Sequence, residues 1–140
     1  MRIVLAADGS KCTKKALAFL ASHESMAGDG DEILVVNVQP TLPPRVRTLV
    51  GSAAVNGYYA EESAKVLDPI RKFLERKGLA FRCEFKVGEP AAQVLAAAER
   101  SKAHLLVMGT HGYGLVGRAL LGSVAQRVLT GAKIPVLLVR

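Results

Sequence analysis

A chain of 140 residues, half of them apolar and 22% charged, is long enough to bury a core without disulfides or metals to staple it. Its apolar runs fall far short of the roughly 20 residues that cross a bilayer, and Cys12 and Cys83 stand at positions that make neither a disulfide framework nor a metal knuckle. The net charge of +7 is uneven: residues 1–99 hold 13 Lys and Arg against all 12 acids, whereas residues 100–140 hold six bases and no acid, a local excess that suits a small anion or a nucleic-acid backbone.

Five apolar runs of strand length, at 2–7, 33–38, 80–87, 104–108 and 135–139, alternate with segments of helical periodicity. That alternation predicts a parallel sheet with helices on both faces. Asp8 interrupts the first run before a signal-peptide core is complete, so the expected location is the cytoplasm. Ser10 is placed to cap a helix running to residue 26, with Ala16, Leu17 and Leu20 on one face and Gly28 and Gly30 beyond its end. Residues 39–56 carry no clear periodicity and are expected to form a long loop, either a lid over a ligand or a plain mobile connection. A helix over 58–77 buries Val66, Leu67, Ile70, Phe73 and Leu74, and Pro69 inside it predicts a kink or break.

In FRCEFKV, residues 81–87, apolar side chains alternate with Arg82, Glu84 and Lys86, the pattern of an edge strand guarded by charge. Pro90 opens a helix that presents Ala91, Val94, Leu95 and Ala98 at helical spacing. Ser123 and Gln126 have capping-box spacing at the start of a final helix that stops at Gly131. The terminal run, bounded by Pro135 and Val139, is apolar on both faces and has no charge to guard it. As the other edge of the sheet it invites strand-to-strand pairing with a second copy, so a homodimer is expected.

The stretch MGTHGYGLVGRALLGS, residues 108–123, holds three overlapping glycine patterns. Gly112, Gly114 and Gly117 spell G-x-G-x-x-G, but a dinucleotide fingerprint follows the first strand and needs an acid about 20 residues on, and no acid follows Glu99. Gly117 to Ser123 imitates a P-loop without its lysine, so that catalytic design is incomplete. The third pattern, G-x2-G-x9-G-S at Gly109, Gly112, Gly122 and Ser123, fits its surroundings, because it joins the end of a strand to the start of a helix. Such a junction aims free N–H groups and a positive dipole end at one point, which suits phosphate. Glycine there lets the backbone approach phosphate oxygens, and Arg118 adds a cation. Across the crevice, Ala6 and Ala7 leave room for a flat ring, and Asp8 supplies a carboxylate for a base amine or ribose hydroxyls.

With RIVLAADGS, VVNV, VGEPAAQVLAAAE and the residues from His104 to the end, the chain resembles the universal stress proteins over nearly its whole length. The resemblance implies a single domain over 1–140 with a Rossmann-like, five-stranded parallel sheet in the order 3-2-1-4-5 and dimers joined by the last strand. It implies ATP, carried with Mg²⁺ or alone, contacted at adenine and ribose by Ala6, Ala7, Asp8, Val38, Met108 and Gly109. The phosphates would meet Gly112, Gly122, Ser123, Val124 and Ala125. His104, where the family often has an acid, is a departure at the end of the strand remote from the ligand. The implied function is that of a nucleotide-dependent stress-response regulator. The alternatives are a basic nucleic-acid-binding module, which lacks aromatic stacking partners, and a nucleotide-free dimeric interaction module. His23, His104 and His111 have no metal-site spacing, and neither a G-x-S-x-G elbow nor a catalytic carboxylate pair is present, so no catalytic residue is assigned and turnover is expected to be slow hydrolysis or autophosphorylation at most.

Overall fold

Strand β1 (Arg2–Ala6) lies at the centre of a sheet because its side chains are apolar on both faces: Ile3, Val4 and Leu5 are all buried. The structure, a computed structural model, describes residues 1–112 and 121–140. Around β1 stand β2 (Glu32–Gln39), β3 (Phe81–Val87), β4 (Leu105–Gly109) and β5 (Val136–Val139), all parallel, in the order β3-β2-β1-β4-β5. Each parallel step needs a crossover, and the helices supply them.

The alternation of side chains sorts the core into two layers. Ile3, Leu5, Ile33, Val35 and Val107 meet Leu17 and Leu20 of α1 (Lys11–Ser22) and Leu67, Ile70 and Leu74 of α4 (Ser52–Arg76) on one face. Val4, Leu34, Val36, Leu106 and Met108 meet Val94 and Ala97 of α5 (Pro90–Arg100) and Ala125 and Val128 of α6 (Ser123–Gly131) on the other. The order reverses between β1 and β4, so the crevice of an open α/β sheet falls beyond their carboxyl ends.

Four local expectations change. The first helix ends at Ser22, where the His23 ring stacks on Phe19 and its Nδ1 lies 2.7 Å from the Phe19 carbonyl, and a short α2 (Glu24–Ala27) follows. The expected loop over 39–56 is mostly helical, with α3 (Pro44–Val50) joined through Gly51 to α4. The break allowed for at Pro69 does not occur: α4 runs on through it, with Leu67 and Ile70 buried on either side. The capping box at Ser123 does not form: Gly122, with φ −72° and ψ 163°, takes the N-cap position and no side chain caps α6.

The basic tail is less isolated in space than along the chain. Arg100 pairs with Glu84 at 2.5 Å, Arg127 with Glu89 at 3.0 Å and Lys133 with Glu99 at 3.0 Å. Among the described residues, no helix is long and apolar enough to cross a membrane.

Candidate functional site

Beyond the ends of β1, β2 and β4 the strands part and leave a cleft of about 420 Å³. That is within the range of small-molecule sites. Ala6, Ala7 and Asp8 come to it from β1, Val38 from β2, Met108, Gly109 and Gly112 from the end of β4, and Gly122, Ser123, Val124 and Ala125 from the start of α6. All these predicted positions line one cleft. Arg118 lies outside the described residues.

The walls differ in character. Val36, Val38, Val94 and Met108 make an apolar side against α5, whereas Asp8, Ser10, Thr13, Asn37 and Gln39 make a polar one against α1 and α4. Asp8 is exposed, yet its Oδ1 already accepts from the Ser10 N–H and the Thr13 hydroxyl, each at 2.9 Å. Those bonds shape the turn into α1 around Gly9, whose φ of 80° is one that few side chains tolerate. Ser10 in turn accepts from the Thr13 N–H at 3.4 Å and caps α1. The carboxylate thus has a structural duty, and its Oδ2 faces Gly112, where an added Cβ would come within 2.4 Å.

The helix termini at the cleft are unlike one another. The N–H groups that open α5 are taken by the Glu89 carboxylate, which accepts from Ala92 at 2.7 Å and Ala91 at 3.3 Å. The Ala92 N–H foremost, with the Arg127 guanidinium and the Ala91 N–H, holds that carboxyl below its ordinary range. Helix α6 has neither a side-chain cap nor an acid in its first turn, and residues 123–125 open it at the cleft. The first N–H groups of a helix have no partner within it, and with the positive end of the helix dipole they favour an anion there. Gly122 is pinned to the tip of β4 through its N–H, which donates to the Thr110 carbonyl at 2.7 Å.

The sequence reading missed several lining residues, Asn37 and Thr110 foremost. Asn37 is 2% exposed and donates from Nδ2 to the Ala7 carbonyl at 2.8 Å. Its signal was present: a single amide in the otherwise apolar run ILVVNV. Thr110 is buried, with its hydroxyl 2.9 Å from His111 Nδ1. His104 accepts from the Arg2 N–H at 2.9 Å at the opposite end of the sheet, as its position in the chain predicts. Among the described residues no group of His, Cys, Asp and Glu is placed to hold a metal ion.

A model of the universal stress protein family matches residues 1–140. A universal stress protein of Methanocaldococcus jannaschii is 35% identical over 150 residues, spanning 99% of this chain and 81% of that protein. Among solved structures, another protein of the same organism superposes with a TM-score of 0.84 at 24% identity, over 99% of this chain and 94% of the other. A universal stress protein from Archaeoglobus fulgidus, solved in complex with dAMP, superposes with a TM-score of 0.72 at 22% identity, over 100% of this chain and 98% of the other.

Proposed function

Because the chain belongs to the universal stress protein family, we propose that it binds ATP in the cleft beyond β1, β2 and β4 and acts as a nucleotide-dependent stress-response regulator. The observation that carries this reading is the convergence on one cleft of an apolar wall, the Asp8 carboxylate and an uncapped helix N-terminus. A base suits the first, ribose hydroxyls or a base amine the second, and phosphates the third. The dAMP complex of the Archaeoglobus relative supports an adenine nucleotide as the ligand class. Ala6, Ala7, Asp8, Val38, Met108 and Gly109 surround the nucleoside in this reading. Gly112, Gly122, Ser123, Val124 and Ala125 surround the phosphates, and any Mg²⁺ enters on them.

Asp8 is the one carboxylate among the described residues lining the cleft, and its Oδ1 is already bonded to Ser10 and Thr13. The reading therefore assigns no catalytic residue, and occupancy rather than turnover is the signal. The protein acts in the cytoplasm as a homodimer joined along β5. Among the described residues no strand lies beyond the outer edge of β5, and all four residues of β5 are only half-buried. Nucleic acid is the weaker partner, since Arg100, Arg127 and Lys133 are engaged by carboxylates. Titration calorimetry of the purified protein with Mg-ATP tests the proposal. Saturable heat at one site per chain is expected, and no heat with either ATP or AMP overturns it.

A further inference from the structure

Between β1 and β2 the hydrogen-bond ladder stops one rung early, and a side chain stops it. The last paired residues are Ala6 and Val36, closed by the Ala7 N–H donating to the Val36 carbonyl at 2.9 Å. In a parallel pair the next rung would run from the Val38 N–H to the Ala7 carbonyl. That carbonyl instead accepts from Asn37 Nδ2 at 2.8 Å, and no backbone bond joins Val38 to Ala7. The amide is itself oriented, because Gln39 Nε2 donates to Asn37 Oδ1 at 2.8 Å. Main-chain groups alternate sides along a strand. Val36 faces β1, Gln39 faces β3 through its carbonyl bond to the Gly88 N–H, and so Val38 turns its N–H and C=O toward β1, where the strands have parted and the cleft begins.

We propose that Asn37 is a positioning residue: by taking the place of the Val38 N–H at the Ala7 carbonyl, it holds the ladder open and leaves the Val38 main chain as a donor and acceptor pair for a purine edge. An amide buried to 2% exposure in an apolar layer is costly to retain unless its bonds do something a leucine would not. Here they satisfy a carbonyl that would otherwise draw in the Val38 N–H and close the slot. A donor beside an acceptor complements the Hoogsteen edge of adenine, which presents N7 as acceptor beside its N6 amino donor, and not the Hoogsteen edge of guanine, whose N7 and O6 both accept. Asn37 does this without touching the base. The inference deepens the ATP reading and rests on it for the identity of the ligand, whereas the open rung stands on the hydrogen bonds alone.

The test has two arms, each applied to the parent, to Asn37→Leu and to the less demanding Asn37→Ala. Amide hydrogen exchange of the ligand-free protein reads the rung. In the parent the Val38 amide exchanges at least tenfold faster than that of Val36, and in the variants it becomes protected as it closes onto Ala7. Equal Val38 protection in parent and variants overturns the proposal. Calorimetry with Mg-ATP, Mg-GTP and inorganic tripolyphosphate reads the consequence. In the variants ATP affinity falls at least tenfold and the preference for ATP over GTP collapses, while tripolyphosphate binding holds. A variant that folds and keeps its ATP preference overturns the role of Asn37. A parent that binds no nucleotide, yet shows the exchange contrast, overturns the ATP reading and the base-edge role while the open rung survives.

Discussion

Gly109 lies so close to Cys12 that a Cβ placed on it would come within 2.3 Å of the Cys12 Cβ. The first turn of α1 thus rests directly on the tip of β4, and the space a side chain would need is already filled. At Gly112 a Cβ would meet only the end of a side chain, Asp8 Oδ2, which can give way. Gly109 is therefore required by the protein's own packing before any phosphate arrives. Gly109→Ala is expected to cost about 1–3 kcal/mol, the usual penalty of overpacking. Its signature is a lower urea midpoint at an unchanged slope, with Cys12→Gly in the same chain restoring part of the loss. An unchanged midpoint in Gly109→Ala would show that α1 yields freely.

Gly122 makes the opposite case. Its φ of −72° and ψ of 163° are open to any residue, so nothing in its backbone conformation demands glycine. Gly122→Val loses a favoured N-cap residue, about 1 kcal/mol or less, but places a branched side chain at the mouth of α6. We expect near-parental thermal stability with ATP affinity reduced tenfold or more, about 1.4 kcal/mol. Equal affinities by calorimetry would remove the start of α6 from the site.

The strands were legible because Ile3 to Leu5, Ile33 to Val36 and Leu106 to Met108 are apolar on both faces, as a doubly covered parallel sheet demands. Gly109, Gly112, Gly122 and Ser123 followed from the glycine spacing, because a strand-to-helix turn at the reversal of strand order has few places to go, whereas Val38, Val124 and Ala125 came only from the family resemblance. Helix α3 was illegible for a physical reason: it buries none of its residues, Leu49 is 85% exposed, and a helix without a buried face leaves no periodic trace. The charge asymmetry misled in the other direction. Glu84, Glu89 and Glu99 stand 16, 38 and 34 residues along the chain from Arg100, Arg127 and Lys133 but meet them in space. Asn37 was visible as an amide among valines, but which carbonyl it serves depends on where two strands part, and no local pattern encodes that.

Glu89 links pH to the cleft, because it caps the helix that carries Pro90 and Val94 into its wall. Its folded-state pKa is depressed below the ordinary 4.5, first by the Ala92 N–H and with help from Arg127. A depressed carboxyl stabilises the fold above its unfolded pKa and loses that contribution as pH falls through the folded value. The parent should therefore lose stability below about pH 4.5 more steeply than Glu89→Gln, which lacks the titrating group, while the variant is less stable at pH 7. Denaturant midpoints between pH 3 and 7 check this, and parallel curves for the two proteins would assign the acid sensitivity elsewhere.

The edge of β5 allows the dimer to be tested without removing the strand. The Leu106 N–H donates to the Pro135 carbonyl and the Thr110 N–H to the Val139 carbonyl, so odd-numbered residues of this strand face β4. Val136 and Leu138 therefore turn their main-chain groups outward, where no further strand is paired among the described residues. Proline at 138 deletes an outward N–H and leaves the N–H groups of Leu137 and Val139 in place for β4. It also removes some apolar contact, since Leu138 packs against the α5 and α6 layer, so a modest loss of stability accompanies it. Under strand-to-strand pairing, the parent runs as a dimer by light scattering at micromolar concentration, and Leu138→Pro is a folded monomer. A monomeric parent sinks the pairing outright. A dimeric Leu138→Pro moves the interface to another face, because two strands cannot share an edge from which a central donor is missing without weakening their association.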